Sequence, residues 1–420
     1  MKILLVVLDG AADRKIKILG NRTPLQAAKM PNLNGFAKRS FEGMMYPIGK
    51  GIAPESDAAV FSILGYDVKE SYTGRGPVEA LGAGLKIDDN TLALRCNFAT
   101  VGNDRTILDR RAGRSITRNE AAQLEKEINS IKLGEKGVRF NFKATVGHRA
   151  VIAFYSKSFK FSPMVSNADV GYVREGSISI ASAASSAGSK IPKVVALDNT
   201  KSSRRTADML NNFIDAVISK LGKSRVNEQR SKRGLPVANA ILMRDAGVGL
   251  PKVVPIWKKY GMSFAFATEM PVERGIARVL GMKEIRSRWR RDKKMRYREI
   301  ARTIMKHSGS FDFAYVHLKG PDEPGHDGDA IGKKRALEEI DSGFFAVLPR
   351  ELPFALCVAE DHSTPCELKA HSADPVPVMI RPSKPIGSDS MHFDENIDGK
   401  GKLGTFEGRK LIEEITRHLG

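Results

Sequence analysis

The sequence has few cysteines and lacks the long apolar runs that cross a membrane. Its 420 residues include three cysteines, Cys96, Cys357 and Cys366, none of them in a C-x-x-C pair. An odd and widely spaced set of this kind excludes a disulfide framework and a zinc ribbon. The first apolar run, Ile3–Leu8, is far shorter than the roughly 18 residues of a membrane span and has no signal-peptide cleavage pattern after it. We therefore expect a cytoplasmic protein with reduced thiols and no membrane contact.

Acidic residues are scarce relative to basic ones. The chain has 68 Lys and Arg against 48 Asp and Glu, a formal net charge of +20. Such an excess points in general to nucleic acids, membrane surfaces or anionic small molecules as partners. The densest basic stretch, residues 286–306, predicts a helix with solvated basic faces, and residues 220–233 predict a linker. Because no RNA-binding fingerprint is present and residues 43–50 do not fit a Walker A loop, we do not expect a nucleic-acid partner.

Short apolar runs alternate with helical patterns along the chain. Strands are predicted at residues 3–8, 150–155, 194–197, 238–243, 264–267, 313–318 and 354–359. Helices are predicted from the capping box Thr117 to Glu120 through residue 131, and over residues 206–221. Ser56 takes the N-cap or first-turn position of another helical pattern. This alternation favours an α/β fold with a mostly parallel sheet flanked by helices.

Acidic and histidine side chains follow three of the predicted strands. They are Asp9, then Asp322 with His326, then Asp361 with His362, and His371 shortly downstream. A single Asp after a strand is more often a turn or capping residue. The grouping favours function, because sites of parallel sheets form outside the carboxyl ends of the strands. Mixed carboxylate and imidazole donors suit Mn²⁺ or Zn²⁺ better than Ca²⁺, and the set is large enough for two ions.

These residues lie in motifs that resemble a known family. The order Asp-Gly, Ser-Asp, Asp-x-x-x-His, Asp-His-Ser-Thr-Pro and His-Ser-x-Asp-Pro-Val-Pro is similar to that of the alkaline phosphatase superfamily. Within it, other stretches resemble the archaeal type of cofactor-independent (2,3-bisphosphoglycerate-independent) phosphoglycerate mutase: residues 23–28, 30–33, 63–67, 74–77, 95–99, 111–114 and 235–239. The resemblance covers nearly the whole chain and implies an alkaline phosphatase-like fold.

The resemblance also implies a role for each motif residue. Ser56 would be the nucleophile, and two divalent ions would act beside it, with Mn²⁺ favoured, Mg²⁺, Co²⁺ or Zn²⁺ as alternatives, and no 2,3-bisphosphoglycerate. The implied ligands are Asp9, Ser56, Asp361 and His362 for one ion and Asp322, His326 and His371 for the other. Physical chemistry agrees, because coordination to a divalent ion stabilises a serine alkoxide without a histidine base.

A phosphate dianion needs cations of its own at such a site. The two ions are balanced by the three Asp carboxylates and the Ser56 alkoxide, so the centre is near neutral. Arginine is the expected supplier, because its planar fork binds phosphate or carboxylate bidentately. The candidate substrate-binding residues are Arg111, Arg114, His148, Arg149, Arg244 and Arg274. Arg244 is favoured, because it follows the predicted strand 238–243 and also matches the family.

We expect two domains. Residues 1–75 and 245–420 would form a discontinuous, phosphatase-like metal-binding domain, and residues 76–244 an inserted α+β cap that closes over the site. A mutase has a reason for such a cap, because it must hold glycerate and keep water from hydrolysing the phosphoenzyme.

The sequence thus predicts an isomerase that interconverts 3-phosphoglycerate and 2-phosphoglycerate in glycolysis and gluconeogenesis through a phospho-Ser56 intermediate. Another metal-dependent phosphomutase or phosphatase of the superfamily is the alternative, and a basic RNA-binding protein is a distant one. A sulfatase is disfavoured, because no cysteine begins a C-x-P-x-R motif. Three positions depart from the family: Glu55 and Glu360 stand where Gly is usual, and Arg274 lies near a position often filled by Lys.

Overall fold

The chain forms two compact units. The computed structural model describes residues 2–68, 74–175, 178–181, 188–384, 392–397 and 401–419. The first unit comprises Met1–Ser71, Val253–Glu269 and Ile276–Gly420, and the second comprises Tyr72–Lys252 and Met270–Gly275. Within the described residues, no helix is long and apolar enough to cross a bilayer.

The strands, numbered along the whole chain, fall into separate sheets in the two units. They are β1 (Ile3–Leu8), β2 (Phe41–Tyr46), β3 (Leu92–Val101), β4 (Ile107–Asp109), β5 (Val138–Ala144), β6 (Arg149–Ser156), β7 (Tyr172–Glu175), β8 (Ile178–Ala181), β9 (Ala240–Val248), β10 (Phe264–Thr268), β11 (Lys283–Glu284), β12 (Phe313–Leu318), β13 (Ala355–Glu360), β14 (Val376–Arg381) and β15 (Gly404–Glu407).

The first unit is built on an eight-stranded sheet in the order β11-β10-β12-β1-β13-β14-β2-β15, as far as the chain is described. The pairs from β11 to β13 and the β2–β15 pair are parallel, while β14 is antiparallel to both of its neighbours. This confirms the mostly parallel sheet predicted from the apolar runs. The second unit has an antiparallel sheet, β4-β3-β6-β5 with β9 beside β3, and the pair β7-β8.

Helices flank the sheets. They are α1 (Pro24–Ala27), α2 (Pro31–Ala37), α3 (Ser56–Ile63), α4 (Arg75–Gly82), α5 (Arg118–Asn129), α6 (Lys201–Leu221), α7 (Arg225–Lys232), α8 (Ile256–Tyr260), α9 (Pro271–Val279), α10 (Lys293–Lys306), α11 (Asp322–Asp327), α12 (Ala330–Gly343) and α13 (Leu411–Arg417). In the first unit, Leu4 and Val6 of β1 share a core with Ile300 of α10 and Leu337 of α12. Burial of these apolar faces holds the helices on the sheet.

Several local predictions are confirmed. The capping box opens α5 as expected, with the Thr117 hydroxyl accepting from Glu120 N and the Glu120 carboxylate accepting from Thr117 N. Ser56 is the first residue of α3. The helix predicted at residues 206–221 begins earlier, at Lys201, because the Thr200 side chain caps it there.

Two other predictions are wrong, and a third, the helix in the basic stretch 286–306, is confirmed only over Lys293–Lys306. Residues 220–233 are not a linker, because they contain α7, whose fully buried Arg230 pairs with Glu120 at 3.0 Å. Residues 194–197 form no strand, only an isolated bridge between Val165 and Ala196. In the basic stretch 286–306 the helix starts only at Lys293, where the Asp292 carboxylate accepts from Met295 N.

A buried lysine holds the loops that follow β1 and β13. Lys333 of α12 is fully buried, and its ammonium donates to Ala12 O and Thr364 O, each at 2.8 Å, and to Asp13 Oδ2 at 2.9 Å. One positive charge therefore joins two loops that are far apart in sequence. Removal of one partner from a buried ion pair leaves the other charge uncompensated.

We predict that Lys333→Met lowers the free energy of unfolding by about 3–5 kcal/mol, because Asp13 and two carbonyl oxygens lose their donor. Denaturant unfolding followed by circular dichroism measures the change. The matched control is Lys334→Met, which breaks the partly exposed Lys334–Glu338 pair and should cost only about 0.3–0.5 kcal/mol. Equal losses in the two variants would contradict the bracing role of Lys333.

Candidate active site

Three adjacent strands bring predicted site residues to one edge of the sheet. Leu8 of β1 pairs with Leu318 of β12 on one side and with Glu360 of β13 on the other. The next residues along these strands are Asp9, Lys319 and Asp361. Because parallel strands end at the same edge, side chains that are distant in sequence meet there. The Lys319 ammonium lies 2.9 Å from Asp9 Oδ1.

Asp9 and Asp361 form a buried carboxyl pair at this edge. Gly10 N donates a hydrogen bond to Asp361 Oδ1 at 3.1 Å. Burial raises the pKa of Asp361 well above its usual range, and the charge of Asp9 raises it further. Burial also opposes a charge on Asp9, but the Lys319 ammonium and two nearby imidazoles hold its pKa well below the usual range. The pair therefore carries one negative charge and one proton, and a divalent cation bound here would displace that proton.

His317, which the sequence analysis did not single out, faces the same pair from within β12. Its Nε2 lies 3.6 Å from Asp9 Oδ1 and 3.5 Å from Asp361 Oδ2. In the described part of the chain, neither His317 Nε2 nor Asp361 Oδ2 has a hydrogen-bond partner. The one signal in the sequence is an imidazole inside an otherwise apolar strand.

Asp322, His326 and His371 form a second group of donor atoms. The two histidine Nε2 atoms lie 3.1 Å apart, and they are 3.4 and 3.5 Å from Asp322 Oδ1. The Nδ1 atoms lie 3.0 Å from Lys369 O and 2.8 Å from Pro54 O. A ring that donates Nδ1–H to a carbonyl presents its Nε2 lone pair, so three acceptor atoms face one another. Only a proton or a cation makes this arrangement favourable.

The protein's own charges attract a proton to this second group. Burial opposes a charge on His371, but Asp322 and Glu55 raise its pKa to about 9. Asp322 in turn has a pKa below its usual range: burial and Asp9 oppose its charge, but His371 and His362 stabilise it. Near neutral pH the group therefore holds an imidazolium beside a carboxylate. An ion that uses His371 Nε2 must replace the proton there.

Ser56 lies against the first group. Its Oγ is 3.0 Å from His362 Nε2. His362 is fully buried, and burial together with the His371 charge keeps its pKa well below the usual value, so the ring is neutral. Glu55, at the N-cap of α3, has φ −79° and ψ 149°, an ordinary extended conformation. The backbone therefore does not require the glycine that is usual in the family at this position.

Thr364, a second residue that the sequence analysis did not name as functional, connects the two groups. Its hydroxyl donates to Asp322 Oδ1 at 2.9 Å and lies 3.0 Å from His362 Nδ1. Because the hydroxyl proton goes to Asp322, the hydroxyl oxygen accepts from His362 Nδ1–H. The Nε2 lone pair of His362 then faces Ser56. The rings of His362 and His371 stack with centroids 3.7 Å apart.

The donors present fit two divalent ions. One group offers Asp322, His326 and His371, and the other offers Asp9 and Asp361 with an imidazole. His362 Nε2 is 3.6 Å from Asp9 Oδ1 and 3.4 Å from Asp361 Oδ2, so it approaches the same carboxyl pair. Buried acceptors without hydrogen-bond partners and mixed O/N donors are what Mn²⁺, Co²⁺ or Zn²⁺ would satisfy.

The residues predicted to bind substrate lie in the second unit, and several of them form one basic cluster. Burial and the charges of Arg149, Arg111, Arg114 and Arg244 lower the pKa of His148 to about 3. The same crowding acts on Arg111, whose pKa is lowered by burial and by Arg114. Such mutual repulsion is relieved by a bound anion. Arg274 lies in α9, in the segment Met270–Gly275 of this unit.

Arg244, which the sequence favoured as a substrate-binding residue, already has ion-pair partners within the protein. Its guanidinium is buried, 2.7 Å from Asp169 Oδ2 and 3.5 Å from Asp245 Oδ2, and it lies over the Tyr172 ring at 4.2 Å. Asp169 also pairs with Arg110 at 2.6 Å. Sequence reasoning did not find this network, because Asp169 is distant along the chain and carries no motif. A role for Arg244 in substrate binding stays a prediction.

Arg111 and Arg114 project from a strained turn. The Asp109 carboxylate accepts from Arg111 N at 2.7 Å and from Gly113 N at 3.0 Å. Ala112 and Arg114 have φ of 45° and 51°, the left-handed region that costs a side-chain-bearing residue about 1–3 kcal/mol. Strain of this kind is concentrated at binding and catalytic sites.

Comparison with known proteins gives one consistent family. Residues 37–227 match the family described as 2,3-bisphosphoglycerate-independent phosphoglycerate mutase. The chain is similar to a protein of that name from Aeropyrum pernix, with 42% identity over 100% of this chain and 99% of the relative. A second relative of that description, from Methanocaldococcus jannaschii, is 36% identical over 98% of this chain and 96% of its own length.

Solved structures agree in fold. A cofactor-independent phosphoglycerate mutase from Thermoplasma acidophilum covers 100% of both chains with 30% identity and a TM-score of 0.62. A protein from Pyrococcus horikoshii covers 99% of this chain and 96% of its own, with 27% identity and a TM-score of 0.77.

We predict that binding of Mn²⁺ releases protons at pH 7, because Asp361 and His371 must lose them to become ligands. With the His371 pKa at about 9, the apparent affinity should rise by about tenfold per pH unit between pH 7 and 8.5 for each proton displaced. Calorimetric titration in two buffers of different ionisation enthalpy measures the release. His307→Asn, outside both donor groups, should leave it unchanged. Binding without proton release at pH 7 would contradict the prediction.

Proposed function

The chain belongs to the 2,3-bisphosphoglycerate-independent phosphoglycerate mutase family, and from this premise we propose which of its residues perform the reaction. It is an isomerase that interconverts 3-phosphoglycerate and 2-phosphoglycerate, a step of glycolysis and gluconeogenesis, without 2,3-bisphosphoglycerate. The observation that carries the proposal is the position of Ser56 at the start of α3, where its Oγ lies 3.0 Å from His362 Nε2.

Ser56 is the nucleophile in this proposal. Asp9, Ser56, Asp361 and His362 would hold one divalent ion, and Asp322, His326 and His371 the other. When bound, the ions would lower the pKa of the Ser56 hydroxyl and neutralise charge on the phosphoryl oxygens. The first N–H groups of α3 point along the helix axis beside Ser56 and supply further positive potential to the phosphoryl group.

The reaction is two phosphoryl transfers through Ser56. In the first, a bond forms between Ser56 Oγ and phosphorus while the bond from phosphorus to the substrate's C3 oxygen breaks. The proton that Ser56 loses is balanced by the one that the released glycerate oxygen gains. In the second, the C2 oxygen of glycerate attacks phosphorus, loses its proton, and returns Ser56 to its hydroxyl form. No phosphoryl group and no net proton are consumed.

The basic cluster of the second unit is proposed to bind the substrate's carboxylate and phosphate. Arg111, Arg114, His148 and Arg149 are its central members, with Arg244 and Arg274 as further candidates. Arg111 has no ion-pair partner within the described residues, so its charge is available to an anion. Arg111, Arg114, Arg149 and Arg244 lie in the expected inserted cap, residues 76–244, and would retain glycerate there.

Mn²⁺ is the proposed physiological ion, with Mg²⁺, Co²⁺ and Zn²⁺ as alternatives, because the donor set combines carboxylates with imidazoles. A small-molecule substrate follows from the family, and the absence of a nucleic-acid partner stays a prediction. Cys96, Cys357 and Cys366 are buried free thiols, which suits the predicted cytoplasmic location.

We predict that Ser56→Ala abolishes mutase turnover and leaves the fold intact, because it removes the phosphoryl acceptor and little volume. The measurement is a coupled enolase assay on 3-phosphoglycerate with Mn²⁺ and no added 2,3-bisphosphoglycerate. Ser62→Ala, a buried serine of the same helix, is the matched control and should keep its activity. Substantial turnover by Ser56→Ala would exclude the covalent route.

A second prediction concerns retention of glycerate. Arg111→Ala should slow isomerisation by ~30- to 150-fold, because loss of one charge-assisted contact costs on the order of 2–3 kcal/mol. Free phosphate should then become a larger fraction of the products, since water reaches the phosphoenzyme when glycerate leaves. Arg139→Ala, an exposed arginine of β5, should change neither quantity. An unchanged product ratio at full rate in Arg111→Ala would mean that the substrate is held elsewhere.

A further inference from the structure

His317 is a fully buried imidazole whose position the roles proposed above leave unexplained. It lies on β12 between apolar neighbours, one residue before the end of the strand. Its Nδ1 is 2.7 Å from the hydroxyl of Tyr315, which is also buried, and the two rings meet edge to face at 83°. One nitrogen is therefore fixed by a neighbour, and the ring orientation with it. The other nitrogen, Nε2, points toward Asp9 and Asp361.

The distances around Nε2 decide between two roles. A hydrogen bond from an imidazole N–H to a carboxylate is about 2.7–2.9 Å long. His317 Nε2 is 3.6 Å from Asp9 Oδ1 and 3.5 Å from Asp361 Oδ2, too far for either bond. Donors that bind one ion at about 2.0–2.2 Å are separated by about 2.9–3.6 Å, the range between right and tetrahedral angles at the ion. The observed spacing is that of ligands around a shared cation.

Hydrogen bonding and charge agree with the distances. In the described structure, both His317 Nε2 and Asp361 Oδ2 are buried without a hydrogen-bond partner, which is costly unless something else binds them. The Lys319 ammonium, 2.9 Å from Asp9 Oδ1, shows that this end of the pair already attracts positive charge. An imidazole nitrogen beside two carboxyl oxygens is a set of donor atoms typical of metal sites.

We propose that His317 is an additional ligand, through Nε2, of the divalent ion held between Asp9 and Asp361, and that Tyr315 orients its ring. The inference rests on the two-ion site of the proposed function and deepens it. A further nitrogen donor favours borderline ions such as Mn²⁺, Co²⁺ or Zn²⁺ over Mg²⁺, which prefers oxygen. His317 thereby becomes a determinant of which metal the enzyme uses.

The test compares Co²⁺ binding and the visible absorption of bound Co²⁺ in the full-length protein and its variants. His317→Leu, which keeps the volume but no donor, should bind one of its two Co²⁺ ions at least about 10- to 100-fold more weakly and change that ion's spectrum. Its affinity for Mg²⁺ should fall less. Tyr315→Phe should shift the same spectrum and weaken the same ion by a smaller factor, and His307→Asn should do neither.

Each outcome separates the inference from the proposal on which it depends. If wild-type protein binds fewer than two ions, the two-ion proposal fails, whatever His317 does. If wild-type binds two ions and His371→Ala loses one, but folded His317→Leu keeps both with unchanged affinity and spectrum, His317 is a packing residue and the inference is overturned. Circular dichroism establishes folding. Should His317→Leu not fold, the same measurements on His317→Asn decide, because the shorter amide cannot reach the ion.

Discussion

The site is organised around two carboxyl groups that cannot both be charged without a cation between or beside them. Asp9 and Asp361 follow neighbouring parallel strands, so the sheet itself forces them together in a buried place. Like charges at short range in a low dielectric repel strongly, and burial adds to the cost. Lys319 and two imidazoles surround the pair, and Lys333 holds the backbone of both loops. These cations, imidazoles and loop contacts thus keep an unfavourable pair in position.

The sequence predicted this centre because its residues follow from the order of strands. Runs such as Ile3–Leu8 and Phe313–Leu318 are apolar enough to be recognised as buried strands, and polar residues just after them fall at one edge. The fold class was predictable for the same reason. Both predictions use only local features of the sequence: an apolar run, the residue at which it ends, and the few residues that follow.

Features that depend on long-range partners were not predictable in this way. His317 lies inside a strand, and in the sequence an imidazole at such a position is indistinguishable from a core residue. Only its proximity to Asp9 and Asp361 in the folded structure indicates a functional role. Residues 220–233 resemble a solvated linker in composition. They contain α7, whose buried Arg230 has its charge compensated by Glu120. The pairing of Arg244 with Asp169 is hidden for the same reason. In these cases the structure depends on charge compensation between residues that are distant in sequence, and amino-acid composition does not reveal such pairs.

The two units differ in the kind of charge that each concentrates. In the first unit, carboxylates and imidazoles require cations, and in the second, arginines crowd until the pKa of His148 falls to about 3. In the proposed mechanism, a phosphorylated substrate offers its phosphate and its carboxylate, but glycerate would offer only its carboxylate while Ser56 carries the phosphoryl group. Its retention must then come from cations that are not neutralised by the protein. Arg244, paired with Asp169 and Asp245, meets that condition less well than Arg111. In the proposed mechanism, the glycerate intermediate, more than the substrate, therefore makes the stronger demand on the charge of Arg111.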